Sequence, residues 1–87
     1  MKHPREVSVK GYVTVLDKDK SGNPLQVAIN ADDFSRYVLR MDEKAIPLLR
    51  MIDKRVHIKG LIVGEDPSGN TVVKLLRVSI IQKQDQD

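Results

Sequence analysis

The chain contains no cysteine and no tryptophan, and its aromatic side chains amount to one phenylalanine and two tyrosines in 87 residues. Without thiols there is no disulfide framework, no thiolate metal site and no cysteine nucleophile. With so few rings, any core must be built from aliphatic side chains. No stretch approaches the roughly 18 consecutive apolar residues that span a bilayer as a helix. The opening Met1-Lys2-His3-Pro4-Arg5-Glu6 has no apolar run behind its charges, so it does not read as a secretory leader. A cytoplasmic protein with no membrane partner is the expectation.

Catalytic patterns are missing as well. There is no glycine-rich phosphate loop and no nucleophile-elbow serine, and the acidic residues gather in turns, where solvent keeps them ordinary. No catalytic residue is nominated, no cofactor is implied, and an enzyme is not expected. His3 and His57 are the only imidazoles, and neither has a second ligand at a metal-site spacing. Asp17-Lys18-Asp19-Lys20-Ser21-Gly22 matches the first half of a calcium loop, with oxygens at alternate positions and glycine at the sixth. Its twelfth position is Ala28 instead of a bidentate glutamate, so a tight hairpin turn is the expectation and no metal is assigned.

What is present is a strand-forming composition. Eleven valines, seven isoleucines and eight leucines in a chain of this length give one β-biased domain with a single core. The formal charge of +3 and pI near 9.3 are compatible with a polyanionic partner without requiring one.

Apolar periodicity organises the chain. Val7, Val9, Val13 and Val15 alternate with Ser8, Lys10, Tyr12 and Thr14, with Gly11 on the apolar side, which predicts a strand that bends at the glycine. The polar cluster 17–24 is a turn. Leu25, Val27 and Ile29 alternate with Gln26, Ala28 and Asn30 as a second strand, and Ala31-Asp32-Asp33 turns again. Residues 34–41 fit two templates. As a strand, Tyr37 and Leu39 point inward while Arg36, Val38 and Arg40 point outward. As a helix, Phe34, Tyr37, Val38 and Met41 share a face with Asp33 as N-cap. The strand is preferred, because the second strand needs a short hairpin partner.

From Asp42 to Asp53 the period becomes helical. Ile46, Leu49 and Ile52 fall on one face and Pro47 belongs in the first turn, giving a helix of about two turns. Arg55 to Val63 alternates again, with Val56, Ile58, Gly60 and Ile62 inward. Residues 65–70 turn, and Thr71 to Gln82 forms the last strand. There, Lys74 and Arg77 share a face only if a bulge lies between them. Residues 1–5 are expected to be an N-terminal arm, 6–82 the folded domain and 83–87 a disordered tail.

Three strands, a short helix and two more strands, with Ile46-Pro47-Leu48-Leu49-Arg50-Met51-Ile52-Asp53-Lys54-Arg55-Val56-His57-Ile58-Lys59-Gly60 spanning the helix and fourth strand, resemble small bacterial single-domain oligonucleotide/oligosaccharide-binding (OB) proteins. The pattern covers residues 6–82, and Asp53 stands where such domains often carry glycine. The resemblance implies an all-β, five-stranded Greek-key barrel with one short helix between strands 3 and 4. It also implies a ligand groove across the second and third strands, framed by the loops 1–2 and 4–5.

On that frame the candidate nucleic-acid-binding residues are Lys10, Tyr12, Gln26, Asn30, Arg36, Arg40, His57 and Lys59. Cations meet phosphates, and tyrosine or arginine stacks on bases. The expected function is a non-enzymatic module that binds single-stranded nucleic acid weakly. The alternative is a protein-interaction barrel without nucleic-acid binding, using Val38, Leu61 and Val63 as an apolar patch. Composition does not choose between DNA, RNA and protein, and it sets no oligomeric state.

Overall fold

Alternation of branched aliphatic and polar side chains produces five strands in the computed structural model, which describes residues 5–81. They are β1 (Arg5–Lys18), β2 (Pro24–Ala31), β3 (Arg36–Leu39), β4 (Arg55–Glu65) and β5 (Thr71–Ile80). They close into a barrel in the order β1-β2-β3-β5-β4. The β3–β5 pair is parallel and the other four are antiparallel. The expected all-β barrel is therefore formed, and residues 36–39 are strand, as the hairpin requirement predicts.

The long first strand serves two partners. Its first half, Arg5 to Tyr12, pairs with β4, and its second half, from Gly11 onward, pairs with β2. The exchange happens at Gly11, where a Cβ would lie 2.1 Å from the Asn30 carbonyl oxygen. Only glycine admits so close an approach, so the expected bend is real and its cause is backbone contact across the corner.

The inward-facing residues, Val9, Val13, Val27, Ile29, Leu39, Val56, Ile58, Val73 and Leu75, fill the barrel without a buried polar side chain among the described residues. Each such side chain contributes about 1.5–3 kcal/mol through area removed from water, which is how a chain with three aromatic rings assembles a core. Leu48 and Ala45, both fully buried, join it from the segment between β3 and β4.

Within the helically patterned stretch 42–53 the expected short helix of about two turns is formed as a tighter element. It is a 3₁₀ helix confined to Ile46–Arg50, with Pro47 in its opening turn. The amides of Leu48 and Met51 donate to the carbonyls of Ala45 and Leu48, the three-residue spacing of a 3₁₀ turn. Asp42 anchors the entry, accepting from the Lys44 and Ala45 amides through Oδ1. With three residues per turn, the buried side is Ala45 and Leu48. Ile46, expected on the inner face, is 53% exposed.

The predicted bulge in the last strand lies at Leu76. Lys59 pairs with Arg77 while the next residue, Gly60, pairs with Leu75, which leaves Leu76 as the extra residue. Lys74 and Arg77 consequently both face outward. Arg5, expected in the arm, begins β1. The remainder of that arm and the tail expected over 83–87 lie outside the described residues.

Candidate functional site

Period two puts Lys10, Tyr12 and Thr14 of β1 on the outer surface of the barrel, and the cross-strand registers determine what stands beside each. Tyr12 lies opposite Asn30 on one side and Arg55 on the other, and Asn30 lies opposite Arg36. One row thus runs Arg36–Asn30–Tyr12–Arg55 across four strands. Arg36 Nε donates to Asn30 Oδ1 at 3.3 Å, which holds the guanidinium along the row. Arg55 is tied at the other end to the Asp32 carboxylate. Tyr12 between them is 50% exposed, leaving ring surface open to solvent.

The next row is small and apolar. Thr14, Ala28, Val38 and Val72 follow one another across β1, β2, β3 and β5. Ala28 and Val38 point outward yet are buried, Val38 being 2% exposed. This makes a shallow floor. Beyond it the polar border resumes with Gln26 on β2 and with Arg40, which follows β3 and is exposed. The sequence-predicted residues Tyr12, Gln26, Asn30, Arg36 and Arg40 therefore border this one row of small side chains, where the candidate groove lies.

Lys10, His57 and Lys59 do not join it. They lie on the other side of β1, where Lys10 pairs with His57 and Ser8 with Lys59. His57 Nε2 and Ser8 Oγ are 2.5 Å apart in a hydrogen bond that crosses the strands diagonally. The eight candidates thus stand on two surfaces that meet along β1, with His57 and Lys59 on the fourth strand's polar face. The apolar patch expected from Val38, Leu61 and Val63 is also absent. Val38 is covered in the groove floor, whereas Val63 is 44% exposed on β4.

Three residues were not selected from the sequence. Arg55 closes the Tyr12 row, and its position just before the alternating run of β4 was its signal. Arg77 comes to the outer face through the Leu76 bulge. Phe34 is the third: it stands 96% exposed at the tip between β2 and β3 with φ +72°. Its amide donates to the Ala31 carbonyl and the Ala31 amide to the Ser35 carbonyl, so Phe34 fills the left-handed position of a tight hairpin. Glycine or asparagine is usual there, and a bulky side chain is strained. The helical template had grouped it on one face with Tyr37, Val38 and Met41. Under this tip, Ser8, Lys10, Asp32, Asp33 and Tyr37 line a cleft of about 320 Å³.

The two loops that frame the groove carry one turn twice. Asp19-Lys20-Ser21-Gly22-Asn23 joins β1 to β2, and Asp66-Pro67-Ser68-Gly69-Asn70 joins β4 to β5. In each, the aspartate Oδ1 accepts from the serine and asparagine amides at 2.8–2.9 Å, and Oδ2 accepts from the asparagine side chain. Donation from the Asn23 and Asn70 backbone amides is the largest influence that lowers the pKa of Asp19 and Asp66 below the ordinary carboxylate value. Asp33 is lowered in the same way by the Ser35 amide. The half calcium loop is accounted for by the first of these turns: Asp19 spends its oxygens on the loop's own donors.

No family model matches the chain, and no curated protein matches it. Among solved structures it is similar to the mitochondrial single-stranded DNA-binding protein of S. cerevisiae, with a TM-score of 0.57 at 10% identity. The likeness covers 97% of this chain and 100% of that one. The closed five-stranded order and this likeness together show an OB-fold.

Proposed function

We propose that the protein is a non-enzymatic module that binds single-stranded nucleic acid in the groove between Tyr12, Asn30, Arg36 and Arg40. The observation that carries this is the row Arg36–Asn30–Tyr12–Arg55 beside a floor of small side chains. A half-exposed tyrosine offers a π-face to a base, worth about 1–3 kcal/mol by stacking. Arg36 and Arg40 supply charge to the phosphates, and Asn30 supplies an amide to base edges. Thr14 and Val72, both half-buried, are the accessible members of the small-residue row between them. The similar solved protein is named for binding single-stranded DNA, which supports the same ligand class on this barrel.

With one exposed ring in the groove, affinity is modest and strongly salt-dependent. The test is a fluorescence-anisotropy titration of labelled single-stranded DNA, single-stranded RNA and duplex at two salt concentrations. Single strands are bound in preference to duplex, binding weakens with salt, and Arg36→Glu combined with Arg40→Glu abolishes it. Salt-insensitive behaviour at tens of micromolar protein would overturn the proposal.

A protein partner is the second reading, favoured by Phe34. Its fully exposed ring sits beside the Asp32 and Asp33 carboxylates, which repel a phosphate but not a polypeptide. Sedimentation showing a concentration-dependent mass that Phe34→Gly removes would favour this reading.

A further inference from the structure

The outer face on the β4–β5 side of β1 holds cations that the groove does not use. Lys10 on β1 is opposite His57 on β4, and His57 is opposite Ser79 on β5. One row further along, Ser8 is opposite Lys59 and Lys59 is opposite Arg77. Lys10, Lys59 and Arg77 are all exposed. Among the described residues the one ion pair at contact distance is Arg55–Asp32, so Lys59 and Arg77 have no carboxylate at contact distance, while Lys10 lines the cleft that also holds Asp32 and Asp33. Glu6, next outward on β1 after Ser8, pairs with Leu61, which separates it from Lys74.

Like charges directly opposite each other in a sheet are destabilising, and a sheet that needed only solubility would interleave signs. Here Lys59 and Arg77 face each other because a bulge at Leu76 brings Arg77 outward. Without that extra residue, regular alternation would place Arg77 on the opposite face from Lys74. Small hydroxyl residues, Ser8 and Ser79, flank the cations and add donors without bulk. Neither row holds a phenylalanine or tyrosine, and the imidazole of His57 is the one ring in them. The combination suits an anion presented as a chain of phosphates.

We infer that this ridge, formed by Lys10, Lys59, Arg77 and the intervening His57, is a second nucleic-acid contact that holds the sugar-phosphate backbone of a strand as it leaves the groove across β1. The inference rests on the proposed function and extends it. Lys10 lies two residues from Tyr12 on the same outward face of β1, so the ridge begins where the groove ends. A single strand that fits the groove alone meets only its arginines. A longer strand continues over β1 and adds the ridge.

The test compares oligo(dT) of about 5 and about 15 nucleotides, the two ends of the range that one such barrel occupies. Wild type is compared with Lys59→Gln/Arg77→Gln, two exposed substitutions that remove charge without adding bulk. The longer strand binds wild type more tightly and with a steeper salt slope. In the double variant that slope falls by about 1.4, at about 0.7 per phosphate contact for single strands, and affinity at 0.1 M salt drops about twentyfold. Binding of the shorter strand does not change.

If the variant binds the longer strand as wild type does, the ridge is a solvated surface and the inference is overturned, while the groove stands on its short-strand binding. Absence of salt-dependent binding to either strand overturns both. Retention of phosphatidylserine vesicles by wild type but not by the variant, with no length effect on oligo(dT), would assign the ridge to a lipid surface and overturn the inference.

Discussion

The two halves of the outer surface are built from the same sheet and share β1, yet they carry different chemistry. Toward β2 and β3, the side chains are a tyrosine, amides and two spaced arginines beside a floor of Thr14, Ala28 and Val38. Toward β4 and β5 they are cations set opposite one another, with serines between. The first half can accept a flat, partly apolar object; the second can accept only charge. A nucleic-acid strand has both parts, bases and phosphates. In the proposed mode of binding, base stacking falls to the Tyr12 side of the bent strand, and the cations on its other side add to the charge that Arg36 and Arg40 supply.

Several experiments break or sharpen this contrast. The largest effect is at the seam itself. Gly11→Val drives a side chain into the Asn30 carbonyl and the Ala31 backbone, and costs about 3 kcal/mol of stability in a denaturant melt. Both surfaces are lost together, because the bend that joins them is lost.

Tyr12→Ala acts on one half only. It leaves the melting transition nearly unchanged and weakens single-strand binding by about 2 kcal/mol, roughly thirtyfold. An equal loss from removing a ridge lysine would contradict the division of labour.

Phe34→Gly is expected to raise stability by about 0.5 kcal/mol. Relief of the left-handed strain, worth about 1–2 kcal/mol, exceeds the backbone entropy that glycine adds to the unfolded chain. If the same change also weakens binding of a partner, the strained ring is kept for contact and not for folding.

The smallest effect concerns the framing turns. Asp19 and Asp66 have lowered pKa values, so their contribution is present above the ordinary aspartate value of about 3.9 and is lost as pH falls through the folded-state values. Below about pH 4 the Asn23 and Asn70 amide resonances should shift together, reporting both turns opening over the same range. A shift in one turn alone would show that the two are not equivalent supports for the groove.

How much of this was legible in the sequence differs between the two halves. β1, β2 and β4 follow from alternation because each buries one face, and period two then states which residues point out. Tyr12, Asn30, Arg36 and Arg40 were assigned outward on that ground and are outward. The third strand has only four residues, too few for periodicity to exclude a helix. Its identity came from the needs of β2. The buried face of the 3₁₀ helix was misassigned because Ile46, Leu49 and Ile52 satisfy a 3.6-residue period, whereas hydrogen bonds of three-residue spacing bury Ala45 and Leu48 instead.

Separation of the candidates into two surfaces was partly legible. The bend at Gly11 followed from a glycine within the alternating run, but the strand's exchange of its β4 partner for β2 there did not. Arg77 shows a halfway case. Its conflict of parity with Lys74 announced a bulge, and the bulge is at Leu76, but which cation it would place opposite Arg77 depends on a register between β4 and β5 that no local pattern encodes. Phe34 was hidden for a different reason: a left-handed φ at a phenylalanine runs against propensity, so nothing local announces a hairpin tip there.

The absence of tryptophan makes the central claim directly measurable, since tyrosine emission is not masked. In a Tyr37→Phe background, Tyr12 is the remaining tyrosine, and its fluorescence can be followed while oligo(dT) is added and anisotropy of a label records binding. Stacking of a base on Tyr12 predicts quenching that saturates together with the anisotropy and reverses with salt. Full binding with unchanged Tyr12 emission would contradict the claim that the groove between β1 and β3 is where the bases lie.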